Sequence, residues 1–197
     1  IAGISEPILS LTDAAIVGHM PIHATESLAA VGVVTAFLSM LIWVLGQSRS
    51  AISSIISQHV GANKLEEVKN LPAQAIAIVL GISFVVCCLT YPFSNAIFKL
   101  YNASGLLLDY SVSYYKIRVL GLPFTLYIFA IFGVFRGLQN TYYPMLIAIT
   151  GALVNIVLDF ALVYGIKDVF LPLNLKGAAF ASVLSQLLMA LLATYFI

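Results

Sequence analysis

Charge is scarce in this sequence. Only 9% of its 197 residues are Asp, Glu, Lys or Arg, where a soluble domain averages about 25%. That excludes an ordinary water-soluble globule. Net charge is +1, so no basic field exists to hold nucleic acid. Cysteine is almost missing. The two present, Cys87 and Cys88, are adjacent inside an apolar run. Sequence neighbours rarely bridge, and a buried thiol behaves as a small hydrophobe, so no disulfide is expected. His19, His23 and His59 lack zinc-ligand spacing. There is no H-E-x-x-H, no G-x-S-x-G and no Gly-rich phosphate loop. The chain therefore reads as a non-enzyme, with no cofactor and no resident metal.

What is plentiful is apolar surface. The chain is 61% hydrophobic with a mean hydropathy of +1.05. A spanning helix needs about 20 apolar residues. On that ruler the sequence predicts an all-α integral membrane protein. Its six spans run roughly over 1–18, 28–58, 72–99, 112–135, 144–165 and 177–197. They are expected to form one bundle, a single transmembrane lobe over 1–197. The second span ends in a Ser-rich stretch with Arg49, expected as a helix-end residue that reaches for water. Pro92 should kink the third span. Residues 99–111 read as a loop. If the N-terminus is cytoplasmic, inside and outside loops carry equal numbers of Lys and Arg, so the positive-inside rule returns a tie. The chain begins without Met and stops within an apolar run. It reads as a piece of a longer protein.

Against this background two acids stand out. Asp159 is the only formal charge between Gly137 and Ile166. A charge at membrane depth costs roughly 2.5–3.5 kcal/mol on insertion scales, and is a functional-site hypothesis by default. Asn155 lies one helical turn before it, on the same face. In the first span Glu6, Ser10 and Asp13 form one polar stripe, with Pro7 placed to bend the helix. We expect Asp13 and Asp159 to face one internal cavity. Two carboxyls there could share a proton. With Asn155 they could equally hold Na⁺, since all three present hard oxygen ligands. Tyr114 and Arg118, one turn apart, either reach these carboxyls or anchor a helix end at the interface. Ser182, Ser185 and Gln186 form a polar patch on the sixth span, of a kind that commonly serves helix packing.

Several of these stretches carry a resemblance. SEPILSLTDAAIVGH (5–19), LAAVG (28–32), the GAN turn (61–63), LGLPFTLYIFAIFGVFRGLQNTYYP (120–144), NIVLD (155–159) and KGAAFASVLSQ (176–186) resemble the multidrug and toxic compound extrusion (MATE) transporters, closest to their DinF-type branch. The resemblance implies a twelve-helix transporter in two six-helix lobes, of which this chain is the N-terminal one. It implies a cytoplasmic N-terminus and a place in a bacterial inner membrane. It implies export of organic cations or amphipathic drugs in exchange for H⁺ or Na⁺ by alternating access. Asp13, Asn155 and Asp159 match the ion-coupling residues. Glu6, Tyr114 and Ser182 match residues lining the cavity, although Glu6 stands where related members more often have a neutral amide. The implied partners are the small-molecule cation, the lipid bilayer and the missing C-terminal lobe. Two other readings stay open: a lipid-linked oligosaccharide flippase of the same superfamily, and a non-transporting membrane assembly partner.

Overall fold

The computed structural model describes residues 12–20, 23–165 and 171–197. Within them the chain is helical throughout. Helix α1 covers 12–18. It is followed by α2 (Ala24–Leu45), α3 (Ser48–Gly61), α4 (Leu71–Thr90), α5 (Ser94–Leu100) and α6 (Gly105–Arg118). Then come α7 (Leu122–Gly137), α8 (Tyr142–Tyr164) and α9 (Asn174–Phe196). Five stretches are long and apolar enough to cross a membrane: Ala24–Gly61, Glu66–Thr90, Gly105–Gly137, Tyr142–Tyr164 and Asn174–Phe196. Most of the expected first span lies outside the described residues.

The breaks between helices have local causes. The long second span is interrupted at Gly46 and Gln47, whose shallow ψ values of −11° and −21° separate α2 from α3 within one continuous stretch. The third span does not merely kink at Pro92. Helix α4 stops at Thr90 and α5 restarts at Ser94, because proline offers no amide hydrogen and crowds the carbonyl four residues back. The loop expected over 99–111 is much shorter, since α6 is helical from Gly105. The reason is that Leu106, Leu107 and Leu108 add an apolar turn ahead of the lone Asp109. A 3₁₀ turn at Val119–Gly121 then joins α6 to α7. Pro123 cannot donate to the Val119 carbonyl four residues earlier. That oxygen instead accepts from the Leu122 amide and from the Cys87 thiol, at 3.3 Å. The α3 end turns through Asn63 at φ 56°, in the left-handed region that asparagine tolerates.

Packing relies on close helix approach. Gly133 and Gly137 make a G-x-x-x-G step on α7. A Cβ on Gly133 would meet the Arg49 carbonyl at 2.7 Å, and one on Gly137 would meet Ile56 Cβ at 2.6 Å. So α3 and α7 cross backbone to backbone. This crossing also places the Arg49 guanidinium over the Phe129 ring, 4.8 Å from its centroid. Helix α9 packs along α8 in the same way, with Gly177 against the Leu162 backbone and Gly151 against Met189. Helix α6 lies between α2 and α9. It brings Tyr114 and Tyr115 into the main apolar core with Val17, Val34, Phe98 and Val163. The Tyr115 hydroxyl donates to Thr90 Oγ1 at 2.6 Å, so this buried ring has its polar end satisfied.

Candidate functional site

Helix α8 shows its polarity inside out. Leu153, Val157 and Phe160 are 61%, 66% and 54% exposed, while Asn155 and Asp159 are fully buried. In water this arrangement would be unstable. In a bilayer it is what the solvent asks for: hydrocarbon outside, polar groups within. Asn155 and Asp159 share one face of α8, a turn apart.

Asp13 comes to the same place from α1, 146 positions away along the chain. It is buried, and its carboxyl lies close enough to that of Asp159 for the two to act on each other electrostatically. Both Asp159 oxygens, Asp13 Oδ1 and both ends of the Asn155 amide are buried with no N–H or O–H partner among the described residues. Native proteins seldom leave so many polar atoms unmatched in one spot. The cluster thus offers acceptor oxygens and one amide, ready for a proton or a cation.

Tyr114 and Arg118 approach from α6. Tyr114 is 1% exposed, so it is no interface anchor. Arg118 follows it by one turn of the same helix, and its charge acts on Tyr114 and on the acid pair. The ion pairs of the described residues lie elsewhere, at His23–Glu26, His59–Glu67, Lys64–Glu67 and Lys69–Glu66. Arg118 therefore stands near the carboxylates without closing a salt bridge on them.

From α9 come Ser182 and Ser185, both buried. The register fixed by Gly151 and Gly177 sets Asn155 level with Ser185, and Asp159 level with Ala181. The Ser182 hydroxyl donates to the Ala178 carbonyl at 3.1 Å, and Ser185 to the Ser182 carbonyl at 2.9 Å. Each keeps a free lone pair but spends its proton on its own helix. Glu6 lies outside the described residues.

One contact at the site was not expected from the sequence. The Tyr164 hydroxyl, at the far end of α8, donates to the Ile16 carbonyl at 2.9 Å. The His19 ring reaches the neighbouring Ala15 carbonyl at 2.7 Å. Together they cap the last turn of α1, where helix carbonyls have no intrahelical partner. The α1 end that follows Asp13 is thereby fastened to α8. No periodicity could reveal this, since Tyr164 and Ile16 stand far apart in sequence.

A membrane bundle with a buried acid pair between its first and its long Asn-Asp helix is the arrangement to which comparison with known proteins can be put. The MatE family profile matches residues 1–161. The chain belongs to the MatE family, whose members are transporters and not enzymes. It is a multi-pass membrane protein. DNA damage-inducible protein F of Escherichia coli is 29% identical over 186 residues, covering 94% of this chain and 39% of that protein. The probable multidrug resistance protein NorM of Thermotoga maritima is 25% identical over 193 residues, covering 96% of this chain and 40% of that protein. The chain thus spans about two-fifths of the length of these relatives. Among solved structures, a MATE transporter in the bent conformation superposes with a TM-score of 0.88 at 24% identity, over 98% of this chain and 41% of that one. An inward-facing multidrug resistance MATE transporter gives a TM-score of 0.85 at 23% identity, over 100% and 42%. These likenesses establish the fold.

Proposed function

We propose that this chain forms the N-terminal lobe of an antiporter that exports organic cations or amphipathic drugs against an inward flow of H⁺. One observation carries the reading. Two carboxyls from distant helices come together in the buried interior, without hydrogen-bond donors of their own among the described residues, and so can hold a proton between them. A proton so held can be exchanged for a cation. When the pocket faces outward, protonation of the pair displaces the cargo. When it faces the cytoplasm, loss of the proton restores the negative charge that draws the next cation. The first helix carries one of the acids and so moves with the exchange. Helix α8 carries the other and, through Tyr164, holds the far end of the first. The driving force is about 2.3 kcal/mol per charge per 100 mV, together with any pH difference. We place the complete protein in a bacterial inner membrane, with a second six-helix lobe closing the pocket from the other side.

A lipid-linked oligosaccharide flippase would need a basic cavity for pyrophosphate. Here two acids face one arginine, which favours cationic cargo. An assembly partner would use the acids to pair with helices of another protein, whereas these acids meet each other.

The test is a flux assay on the full-length protein in liposomes, with pH and sodium gradients imposed separately. Uptake of a fluorescent cation driven by the pH gradient alone is the expected result. Flux driven only by sodium would give the pair to Na⁺, held by the carboxylates and the Asn155 carbonyl. No gradient-driven flux of either kind would overturn the antiport reading.

A further inference from the structure

We propose that Tyr164 is a positioning residue for the exchange: its hydroxyl, tied to the Ile16 carbonyl, fixes the height of the first helix against α8, so that a proton leaves the acid pair only when cargo takes its place. The inference rests on the antiport reading and goes further, since it assigns the tightness of coupling to one hydrogen bond.

Two pairs of residues link the helices. Ile16 and Tyr164 are joined by a hydrogen bond of 2.9 Å, and Asp13 comes close to Asp159 in the buried interior. The residue numbers rise together on both sides, so α1 and α8 run parallel. The acids are 146 positions apart in sequence and the tied pair 148. The extra length on α8 is taken up by the tyrosine side chain, which on a helix leans back toward the N-terminus. Both links thus belong to one register. Ile16 follows Asp13 by less than one helical turn, about 4.5 Å along the axis. A slide of the helix at Ile16 therefore reaches Asp13 undiminished.

Packing does not fix that height. Ile16, Val17 and Met20 lie in one apolar core with Val163. Apolar burial is non-directional, and a helix that slips along such a seam finds neighbours of the same kind. A hydroxyl that donates to a carbonyl tolerates little displacement before the bond is lost. The rest of the α1 end gives no hold on α8: the His19 ring bonds the Ala15 carbonyl of its own helix, and the His19 amide reaches Ile16 at a longer 3.3 Å. A tyrosine that served only as an interface anchor would turn its hydroxyl to the headgroups. This one spends its proton inward, on the helix that carries Asp13. With the tie gone, Asp13 can slide away from Asp159 while no ligand is exchanged. The proton then crosses without cargo.

The experiment places the full-length protein in liposomes under a pH gradient and follows proton flux, first without cargo and then with ethidium, a singly charged dye. Tyr164→Phe removes only the hydroxyl. It should still bind ethidium, yet pass protons without it about fivefold faster than the unsubstituted protein, the factor that one hydrogen bond of ordinary strength contributes. Uptake of ethidium per proton should fall accordingly. Adding Asp13→Asn should stop the leak, which shows that it runs through the acid pair. Tyr195→Phe, the same change at a side chain that is 82% exposed, should leak no more than the unsubstituted protein. If Tyr164→Phe inserts poorly, Tyr164→Leu also lacks the hydroxyl and should show the same leak. No leak in either variant, or transport that falls only in step with the amount of folded protein, would overturn the role of Tyr164 and leave the antiport reading standing. Failure of the unsubstituted protein to take up ethidium under either a pH or a sodium gradient would remove the antiport reading, and this inference with it.

Discussion

Asp159→Asn in the full-length protein should abolish drug efflux while the protein still inserts and folds. The substitution keeps the size of the side chain and removes only its acidity. Both Asp159 oxygens lack a donor among the described residues, so no hydrogen bond from them is lost. Removing an acid from a buried, donor-poor pocket relieves a burial cost, and the midpoint of thermal unfolding in detergent should not fall. Transport should drop by at least about a hundredfold, the low end of what a missing proton-transfer group costs. Drug resistance of cells and protein level in the membrane are the two measurements. Normal resistance in cells carrying the variant would rule out a coupling role for Asp159.

The second large effect is structural. A side chain at Gly177 has nowhere to go, because its Cβ would meet the Leu162 carbonyl and the Val163 amide, and backbone cannot swing aside. Gly177→Val should destabilise the bundle by about 3 kcal/mol or more, at the upper end of overpacking costs. It would also push α8 away from α9 near the level of Asp159, so residual protein should transport poorly. Gly151→Ala offers the contrast. There the obstacle is the Met189 side chain, which is flexible. That substitution should cost about 1 kcal/mol. Thermal unfolding in detergent separates the two. Equal losses would mean that α8 and α9 do not approach as closely as the structure has them.

The contrast also shows what the sequence could and could not disclose. The all-helical membrane fold and five of its spans were legible because hydrocarbon imposes length and composition directly on the chain. The acids were legible for the same reason: one formal charge in a long apolar run is conspicuous. Their meeting was an expectation from chemistry, and only the fold brings Asp13 and Asp159 together. Elsewhere local signals misled. Residues 99–111 read as a loop, yet the apolar turn from Gly105 on is already helix. Pro92 looked like a kink and is a full stop. Gly133 and Gly137 carry a helix crossing that depends on what stands opposite them, and spacing alone does not say what that is. Tyr114 could have been an anchor at the interface. Its burial beside Arg118 is a tertiary fact, and so is the tie from Tyr164 to Ile16.

The most direct measurement asks whether cargo and proton share the acids. Purified full-length protein is mixed with a cationic drug in weakly buffered detergent, and a pH dye follows the solution. Each cation bound should release about one proton from the paired carboxyls, and Asp13→Asn and Asp159→Asn should release none. Tight binding of the drug to the unsubstituted protein with neither proton nor Na⁺ displaced would contradict the account.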